Sequence, residues 1–296
     1  MTEQSLILDT GPFRVTVRSF DRTFLDTVRF FYHDGICTDP DPLVDFDIRL
    51  VRRQGARRWV RPQVQFEIDG VRPFEPQPLE NAYPVYEWGL NWCIATSAHR
   101  YLMLHAGTVA FGDDAMILSG LPGSGKSTLS AALQLRGARL LCDEFGLLVP
   151  ESGRLLPMPR PIPLKNTSIE AIAAFDGSAP LGPTYPKTRK GRVRHLRPSA
   201  ASVALGERAA TPRWLLFPRY RAGQTADLQA LDRDTALHRL ALNCFNYKLL
   251  GGDAFRALCD LVDQAGCYEF VFSDLNQAVA CLHGLAQGEG SHEPAE

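Results

Sequence analysis

The run Gly120-Leu121-Pro122-Gly123-Ser124-Gly125-Lys126-Ser127 matches G-x-x-x-x-G-K-[ST] at every fixed position. Its flanks suit the same reading. The apolar run Ala115-Met116-Ile117-Leu118 precedes it and reads as a buried strand, and a Leu- and Ala-rich run from Lys126 to Arg136 follows and reads as a helix. Strand, glycine loop and helix in that order are what give the motif a mechanism. Backbone without side chains can wrap close to phosphate oxygens. The N–H groups of the turn and of the helix start then point at the anion. The expected nucleotide contacts are Gly120, Leu121, Pro122, Gly123, Ser124, Gly125, Lys126, Ser127 and Thr128. Lys126 would reach the β- and γ-phosphates, and the Ser127 hydroxyl would sit on Mg²⁺. The competing reading is a Gly-rich turn with an incidental Lys-Ser.

Outward from the loop, Gly137 ends the helix and Arg139-Leu140-Leu141-Cys142 reads as the next strand, closed by Asp143-Glu144. Asp143 follows Lys126 by 17 residues. That distance holds one helix, a turn and a strand back to the same end of the sheet, which returns a carboxylate to the phosphates. Mg²⁺ takes one or two carboxylates plus phosphate oxygens and water, so Ser127, Asp143 and Glu144 are the candidate metal ligands. With two adjacent acids, one can hold metal while the other accepts the proton of an attacking hydroxyl. Neighbours on an extended chain point opposite ways, however. His105 lies in Leu102-Met103-Leu104-His105-Ala106-Gly107, late in a strand expected over 101–109. It reads either as a core histidine or as a group that orients a nearby carboxylate and tunes its pKa. Asp143, His105 and Lys126 are the candidate catalytic residues.

The segment 177–205 contains no acidic residue and holds Lys187, Arg189, Lys190, Arg192, Arg194, His195 and Arg197. With Gly182, Pro183, Pro186 and Gly191 it reads as irregular chain that could close over phosphates. Lys165, Lys190 and Arg192 are candidate contacts to phosphate or substrate. The alternative is an exposed basic loop. Without interleaved aromatics, nucleic acid is not an expected partner.

The chain has 296 residues, 45% apolar and 22% charged, ordinary values for a globular protein. A net charge of −1 selects no partner, so any electrostatic argument must be local. No run approaches the roughly 18 apolar residues that span a bilayer, and no signal peptide is visible at the N-terminus. Seven cysteines without C-x-x-C spacing fit a reducing compartment and argue against a zinc site. A cytoplasmic protein with no membrane partner is expected.

The organisation reads as a small α+β domain over 1–76, a larger domain carrying the loop over 77–286 and a flexible tail over 287–296. In the first, strands are expected at 13–17, 46–51 and 64–68 and a helix at 23–32. Arg52, Arg53, Arg57, Arg58 and Arg61 cluster between two of the strands, as a solvated hairpin tip or a docking surface for an acidic partner. A helix over 78–99 places Val85, Trp88, Trp92 and Ala95 on one apolar face, read as core. Further on, a strand is expected at 214–217, helices at 233–243 and 253–265, a strand at 268–272 and a helix at 274–285.

The loop Gly120 to Ser127, then Arg136-Gly137-Ala138-Arg139-Leu140, then Asp143-Glu144, with His105 upstream, resembles the C-terminal domain of HPr kinase/phosphorylase. The whole chain resembles the group called HprK-related kinase A. The residues that carry this wider likeness are Glu87-Trp88-Gly89-Leu90-Asn91-Trp92-Cys93, Pro159-Arg160-Pro161, Leu164-Lys165-Asn166, Lys190-Gly191 and Phe217-Pro218-Arg219-Tyr220. Those kinases are similar to enzymes that phosphorylate a serine on lasso peptides. The resemblance implies an α/β fold whose P-loop core is of the HPr kinase/phosphoenolpyruvate carboxykinase type, rather than a Ras-like sheet. It implies ATP and Mg²⁺ as cofactors, Asp143 as the base toward a serine hydroxyl, Glu144 as a Mg²⁺ ligand and His105 as partner of the base. The chain departs from the family pattern in having Glu144 where the family has Asp. It also lacks a Leu-Glu-Ile-Arg-Gly-like stretch, where Leu164 to Glu170 stands instead. Its N-terminal region is unlike that of HPr kinase, so neither HPr as substrate, nor a hexamer, nor the phosphorylase reaction is implied.

The expected function is an ATP- and Mg²⁺-dependent kinase acting on a hydroxyl, serine in particular, of a peptide or small protein. The alternatives are a kinase for a small-molecule hydroxyl and a non-catalytic, nucleotide-dependent binding module. The identity of the acceptor and any homo-oligomeric state are open.

Overall fold

The computed structural model describes residues 2–53 and 60–288. Arg57 and Arg58 of the basic cluster lie outside the described residues, as does the expected tail from 289 on. The fold is α/β with mixed sheets.

The N-terminal part is a five-stranded sheet of β1 (Gln4–Asp9), β2 (Arg14–Ser19), β3 (Phe46–Arg52), β4 (Gln63–Ile68) and β5 (Gln77–Pro78), in that order. Only the β2–β3 pair is parallel. Its crossover is α1 (Arg22–Phe31), which the Asp21 carboxylate caps by accepting from the Phe24 N–H. The strands alternate: Ile48 and Leu50 face in, Asp47 and Arg49 face out. The helix α2 (Ala82–Ser97) completes this core with Tyr83, Tyr86, Leu90 and Ile94. The expected tryptophan face is therefore corrected. Trp92 is exposed and Trp88 only half-buried, and the tyrosine side does the packing. A helix wedged between a sheet and other elements buries most of its circumference, and an apolar-stripe reading fails on it.

The rest is built on a six-stranded sheet in the order β16-β17-β15-β8-β7-β9. Its members are β7 (Ala106–Phe111), β8 (Asp114–Ser119), β9 (Arg139–Cys142), β15 (Thr211–Tyr220), β16 (Asp227–Ala230) and β17 (Gly266–Phe272). β8 pairs parallel with β15 and antiparallel with β7, and β15 pairs parallel with β17. Because both faces are covered, the central strands are apolar throughout. Ala115 and Ile117 face a core shared with α6 (Arg233–Leu242) and α8 (Gly252–Gln264). Met116 and Leu118 face one shared with α3 (Lys126–Leu135) and α9 (Leu275–Gln287). The four-residue helix α7 (Tyr247–Leu250) links α6 to α8.

Two small sheets flank the large one. β10 (Gly146–Val149) lies between β6 (Leu102–Leu104) and β11 (Arg154–Leu156). β14 (Gly191–Leu196) lies between β12 (Ile162–Lys165) and β13 (Leu181–Thr188), with α4 (Thr167–Phe175) following β12 and α5 (Ala200–Ala204) following β14. The basic segment is thus not irregular, as expected, but a hairpin. Val193 and His195 alternate inward beneath Arg192 and Arg194, and Arg194 is tied down by donating to the Gly182 carbonyl at 2.7 Å. Period-2 burial overrides a composition that looks like loop.

The two parts are joined by a buried polar cluster. Arg160 donates to Glu87 Oε2 at 2.7 Å and to Asn91 Oδ1 at 2.6 Å, and Tyr32 Oη donates to Glu87 Oε1 at 2.9 Å. Both charged side chains are 6% exposed. Removing one partner of such a pair leaves the other charged and unsolvated. Glu87→Ala is expected to cost about 3–5 kcal/mol, read as a lowered urea midpoint, whereas the double change Glu87→Met with Arg160→Met recovers most of the loss.

Candidate functional site

The site is set by a bend shared by two paired strands. Past Gly107, β7 pairs antiparallel with β9, while β6, on the other side of His105, pairs antiparallel with β10. The two-stranded ribbon leaves one sheet for another at His105 on one strand and at 143–145 on the other. Thr108 makes this bend feasible. Its hydroxyl donates to the Cys142 carbonyl and accepts from the Cys142 N–H, both at 3.1 Å, where the β7–β9 register shifts. The last backbone groups of β9 are satisfied by a side chain, and the chain is free to turn. The strand expected over 101–109 is therefore broken at His105, whereas Asp143-Glu144 close β9 as expected, at a corner that leads into β10.

β9 runs antiparallel to β7, and β7 runs antiparallel to β8, so β8 and β9 share a direction. Asp143 emerges at the same end of the sheet as Gly120. β7 stands between the two strands, a position the 17-residue spacing does not reveal. Gly120 to Gly125 turn from β8 into α3. Gly125 has φ +98° and lies against Phe272, where a Cβ would come within 2.8 Å of the ring. Both the backbone conformation and the space demand glycine there. The Tyr220 N–H holds the loop by donating to the Ser124 carbonyl at 3.2 Å. α3 starts with neither an acidic residue in its first turn nor a side-chain cap, so the positive end of its dipole stays open. Leu121, Pro122 and Gly123 are exposed, and Ser127 and Thr128 are partly so. Lys126 folds back and donates to the Gly120 carbonyl at 2.6 Å and to Leu121 at 3.2 Å. Burial lowers its pKa, and the carboxylates of Asp143 and Glu144 oppose that shift.

Asp143 is 5% exposed, and neither of its carboxylate oxygens has a hydrogen-bond partner among the described residues. Burial pushes its pKa up to about 6. The Ser127 and Ser130 hydroxyls lie near enough to pull it down, but outside bonding geometry. The Ser130 hydroxyl is itself buried and unpartnered. Gly107 is what lets the two approach: a Cβ there would overlap the Ser130 hydroxyl and stand 3.3 Å from Asp143 Oδ1. Glu144 is half-buried beside Asp143. No group of three or more His, Cys, Asp or Glu side chains that could hold a metal is found among the described residues. A site for a hard cation would rest on the Asp143 and Glu144 carboxylates and the Ser127 hydroxyl. That all-oxygen donor set suits Mg²⁺, which keeps its remaining positions for phosphate oxygens and water.

His105 is half-buried with its ring 5.3 Å from that of Phe245, and its backbone N–H donates to the Asn243 carbonyl at 2.6 Å. Burial lowers its pKa, Lys126 adds to that, and Glu144 opposes it. The ring stands among the charged groups of the site but makes no hydrogen bond to Asp143. Beyond the acid pair lies a narrow cleft of about 20 Å³, walled by Trp88, Pro161, Pro163, Lys165, Lys190 and His195. Lys165 and Lys190 thus join the site. Arg192 does not line the cleft. It pairs with Glu170 at 2.6 Å instead, which also removes Glu170 from the acid pair's surroundings. Sequence reasoning missed Ser130 and Gly107 as site residues and named His195 only as part of the basic segment. Ser130 sits one turn beyond Lys126 on the loop helix, and a lone glycine inside a strand signals close approach; both signals were present.

No family model matches the chain, and a search of curated proteins finds no match.

The unpartnered carboxylate makes a test independent of any ligand. The folded-state pKa of Asp143 is raised from 3.8, so the folded protein binds more protons than the unfolded chain between pH about 4 and about 6. Stability falls as pH rises through that window. Asp143→Asn is therefore expected to stabilise the ligand-free protein by up to about 3 kcal/mol at neutral pH, with no gain near pH 4. Melting temperatures of the two proteins across that range check it.

Proposed function

We propose that the chain is an ATP- and Mg²⁺-dependent kinase that transfers the γ-phosphoryl group to a hydroxyl, serine in particular, of a peptide or small protein. On this reading the six-stranded sheet with its glycine loop is a P-loop core of the HPr kinase/phosphoenolpyruvate carboxykinase type, and β1–β5 with α1 form an added N-terminal domain. The observation that carries the proposal is the buried, unpartnered Asp143 carboxylate, delivered to the uncapped N-terminus of α3 beside Ser127. An isolated buried carboxylate without partners is costly, and a cation and a hydroxyl proton are the partners that would satisfy it.

The roles follow from the chemistry of each group. The loop amides and the Lys126 ammonium hold the β- and γ-phosphates; to do so Lys126 exchanges the Gly120 and Leu121 carbonyls for phosphate oxygens. Ser127, Glu144 and Asp143 hold Mg²⁺, which when bound neutralises charge on the phosphate oxygens. Asp143 also faces the acceptor hydroxyl. The acceptor oxygen forms its bond to the γ-phosphorus as the bond to the bridging oxygen breaks. ADP leaves with that electron pair, and the hydroxyl proton passes to Asp143. His105, kept neutral by burial and by Lys126, acts through its neighbours and not through a bond to the base. The seven free thiols suit a reducing, cytoplasmic setting. No helix among the described residues is long and apolar enough to cross a membrane.

A second reading, a kinase for a small hydroxyl compound, is favoured by the narrowness of the cleft beside Asp143, walled by Trp88, Pro161 and Pro163.

Incubation with γ-labelled ATP, Mg²⁺ and candidate peptides or small hydroxyl compounds tests the proposal. Label is expected on an acceptor hydroxyl. Lys126→Ala is expected to weaken nucleotide binding about tenfold or more. Asp143→Asn is expected to keep nucleotide binding and lose about 10²–10⁴ in turnover. Absence of ATP uptake in calorimetry with Mg²⁺ present would remove the proposal.

A further inference from the structure

The cleft beyond Asp143 carries charge of both signs, arranged in order. At its inner end is the Asp143–Glu144 pair. Along its wall stand Lys165, half-buried at the end of β12, and Lys190, exposed at the tip of the β13–β14 hairpin. Glu87 also lines the cleft, but its charge is taken up by Arg160. Neither lysine has a carboxylate within 4.0 Å among the described residues. The Lys165 charge pulls down the pKa of Asp143, Lys126, His105 and His195, and Lys165 lines the cleft with the acid pair. The Lys190 ammonium stands 5.9 Å from the centre of the Trp88 ring, an aromatic face that holds the cation over the opening.

A second observation comes from the cleft wall. His195 is 2% exposed, yet its Nδ1 has no hydrogen-bond partner. Phe31, Tyr83 and Tyr185 surround its ring edge-on. Burial pulls its pKa down to about 4, so it is a neutral group. A neutral imidazole in the wall offers a hydrogen bond without adding charge. Two ammonium groups without carboxylate partners among the described residues and one neutral imidazole therefore line a cleft with the base.

Building on the kinase reading above, we propose that the acceptor carries an anionic group close to its hydroxyl, a carboxylate in the first instance, which Lys165 and Lys190 bind while the hydroxyl faces Asp143. Lys165 and Lys190 line the same narrow cleft as the acid pair, so the anion and the hydroxyl belong to the same or neighbouring units. This chemistry has two sources: a free hydroxy acid, or a serine beside an acidic residue in a peptide. The lysines then set acceptor selection, and the glycine loop with Lys126 sets nucleotide binding.

The test uses the full chain, loaded with a non-hydrolysable ATP analogue and Mg²⁺, with calorimetry for binding. The probes are glycerate against glycerol, and end-blocked pentapeptides in which the central serine precedes aspartate or alanine. The anionic member of at least one pair is expected to bind about tenfold or more tightly than its neutral counterpart. Glycerate binding alone marks a free hydroxy acid; binding of the aspartate peptide marks a peptide acceptor. Lys165→Met and Lys190→Met, each first shown to melt like the parent, are expected to abolish that preference while the nucleotide analogue still binds. Equal binding of charged and neutral probes, no binding of any of them, or a loss confined to nucleotide affinity in the lysine variants would overturn the inference. In each of these cases a normal nucleotide titration leaves the kinase reading standing. Loss of nucleotide binding in the parent chain sinks that reading instead.

Discussion

Everything at the site depends on where one antiparallel ribbon stops being flat. β7 and β9 lie in the large sheet, and β6 and β10, their continuations, lie in the small one. A ladder can be interrupted only if the backbone groups at the break find other partners, because buried N–H and C=O groups left open are costly. The Thr108 hydroxyl meets that condition for Cys142, as acceptor to its N–H and donor to its carbonyl. The Asn243 carbonyl meets it for the His105 N–H on the other strand. With both strands released at one level, Asp143, Glu144 and His105 leave the sheet together at the end where the glycine loop turns into α3. One hydroxyl thus converts an ordinary hairpin-like pairing into a corner that presents three titratable side chains.

The N-terminal sheet is not a bystander to that corner. Its core runs on without interruption into Cys142, Phe145 and Leu147, the residues on either side of the acid pair. α2 contributes Tyr83 and Tyr86 to that core and Trp88 to the cleft wall, so one helix is both scaffold and lining. The Glu87–Arg160 pair fixes α2 against the proline-bounded segment that leads into β12 and Lys165. A buried ion pair adds little net stability over apolar packing, but it tolerates few alternative arrangements. Its placement between α2 and the β12 segment holds the two walls of the cleft in register.

Much of the site was legible in the sequence, and the reason is locality. The strand β8, the loop and α3 are encoded in about twenty consecutive residues, where period, glycine placement and helix propensity agree. The strand β9 and its terminal acids follow at a distance that one helix and one turn dictate. What could not be read depends on contacts distant in sequence. The break at His105 follows from a partner strand more than thirty residues away. The hairpin β13–β14 is rich in Pro, Gly and Arg and reads as loop until Val193 and His195 are given a buried face to meet. The tryptophans of α2 seemed the natural core because they are the largest apolar groups on that helix. The sheet selects the tyrosine side instead, and the half-buried Trp88 ring is left for the cleft. Arg192 carries the right charge for the site but finds Glu170 nearer. β7, interposed between β8 and β9, is invisible to spacing, since a chain of 17 residues can return beside its own strand or one strand further away.

Two buried carboxylates in the same region are treated in opposite ways, and the contrast separates structure from chemistry. Glu87 receives bonds from Arg160 and Tyr32 and lies in a filled network. Asp143, equally buried, receives none. Asp143 differs in position: it lines the cleft and lies near Ser127, and on the proposed function this is the space that a phosphate, a cation and an acceptor hydroxyl would use. Glycine at position 107 is consistent with this, since any larger residue would push Ser130 or Asp143 out of line. Burial raises the pKa of Asp143, so its ionised form weakens the fold. On the proposed function, the carboxylate that weakens the fold when ionised is the group that accepts the hydroxyl proton.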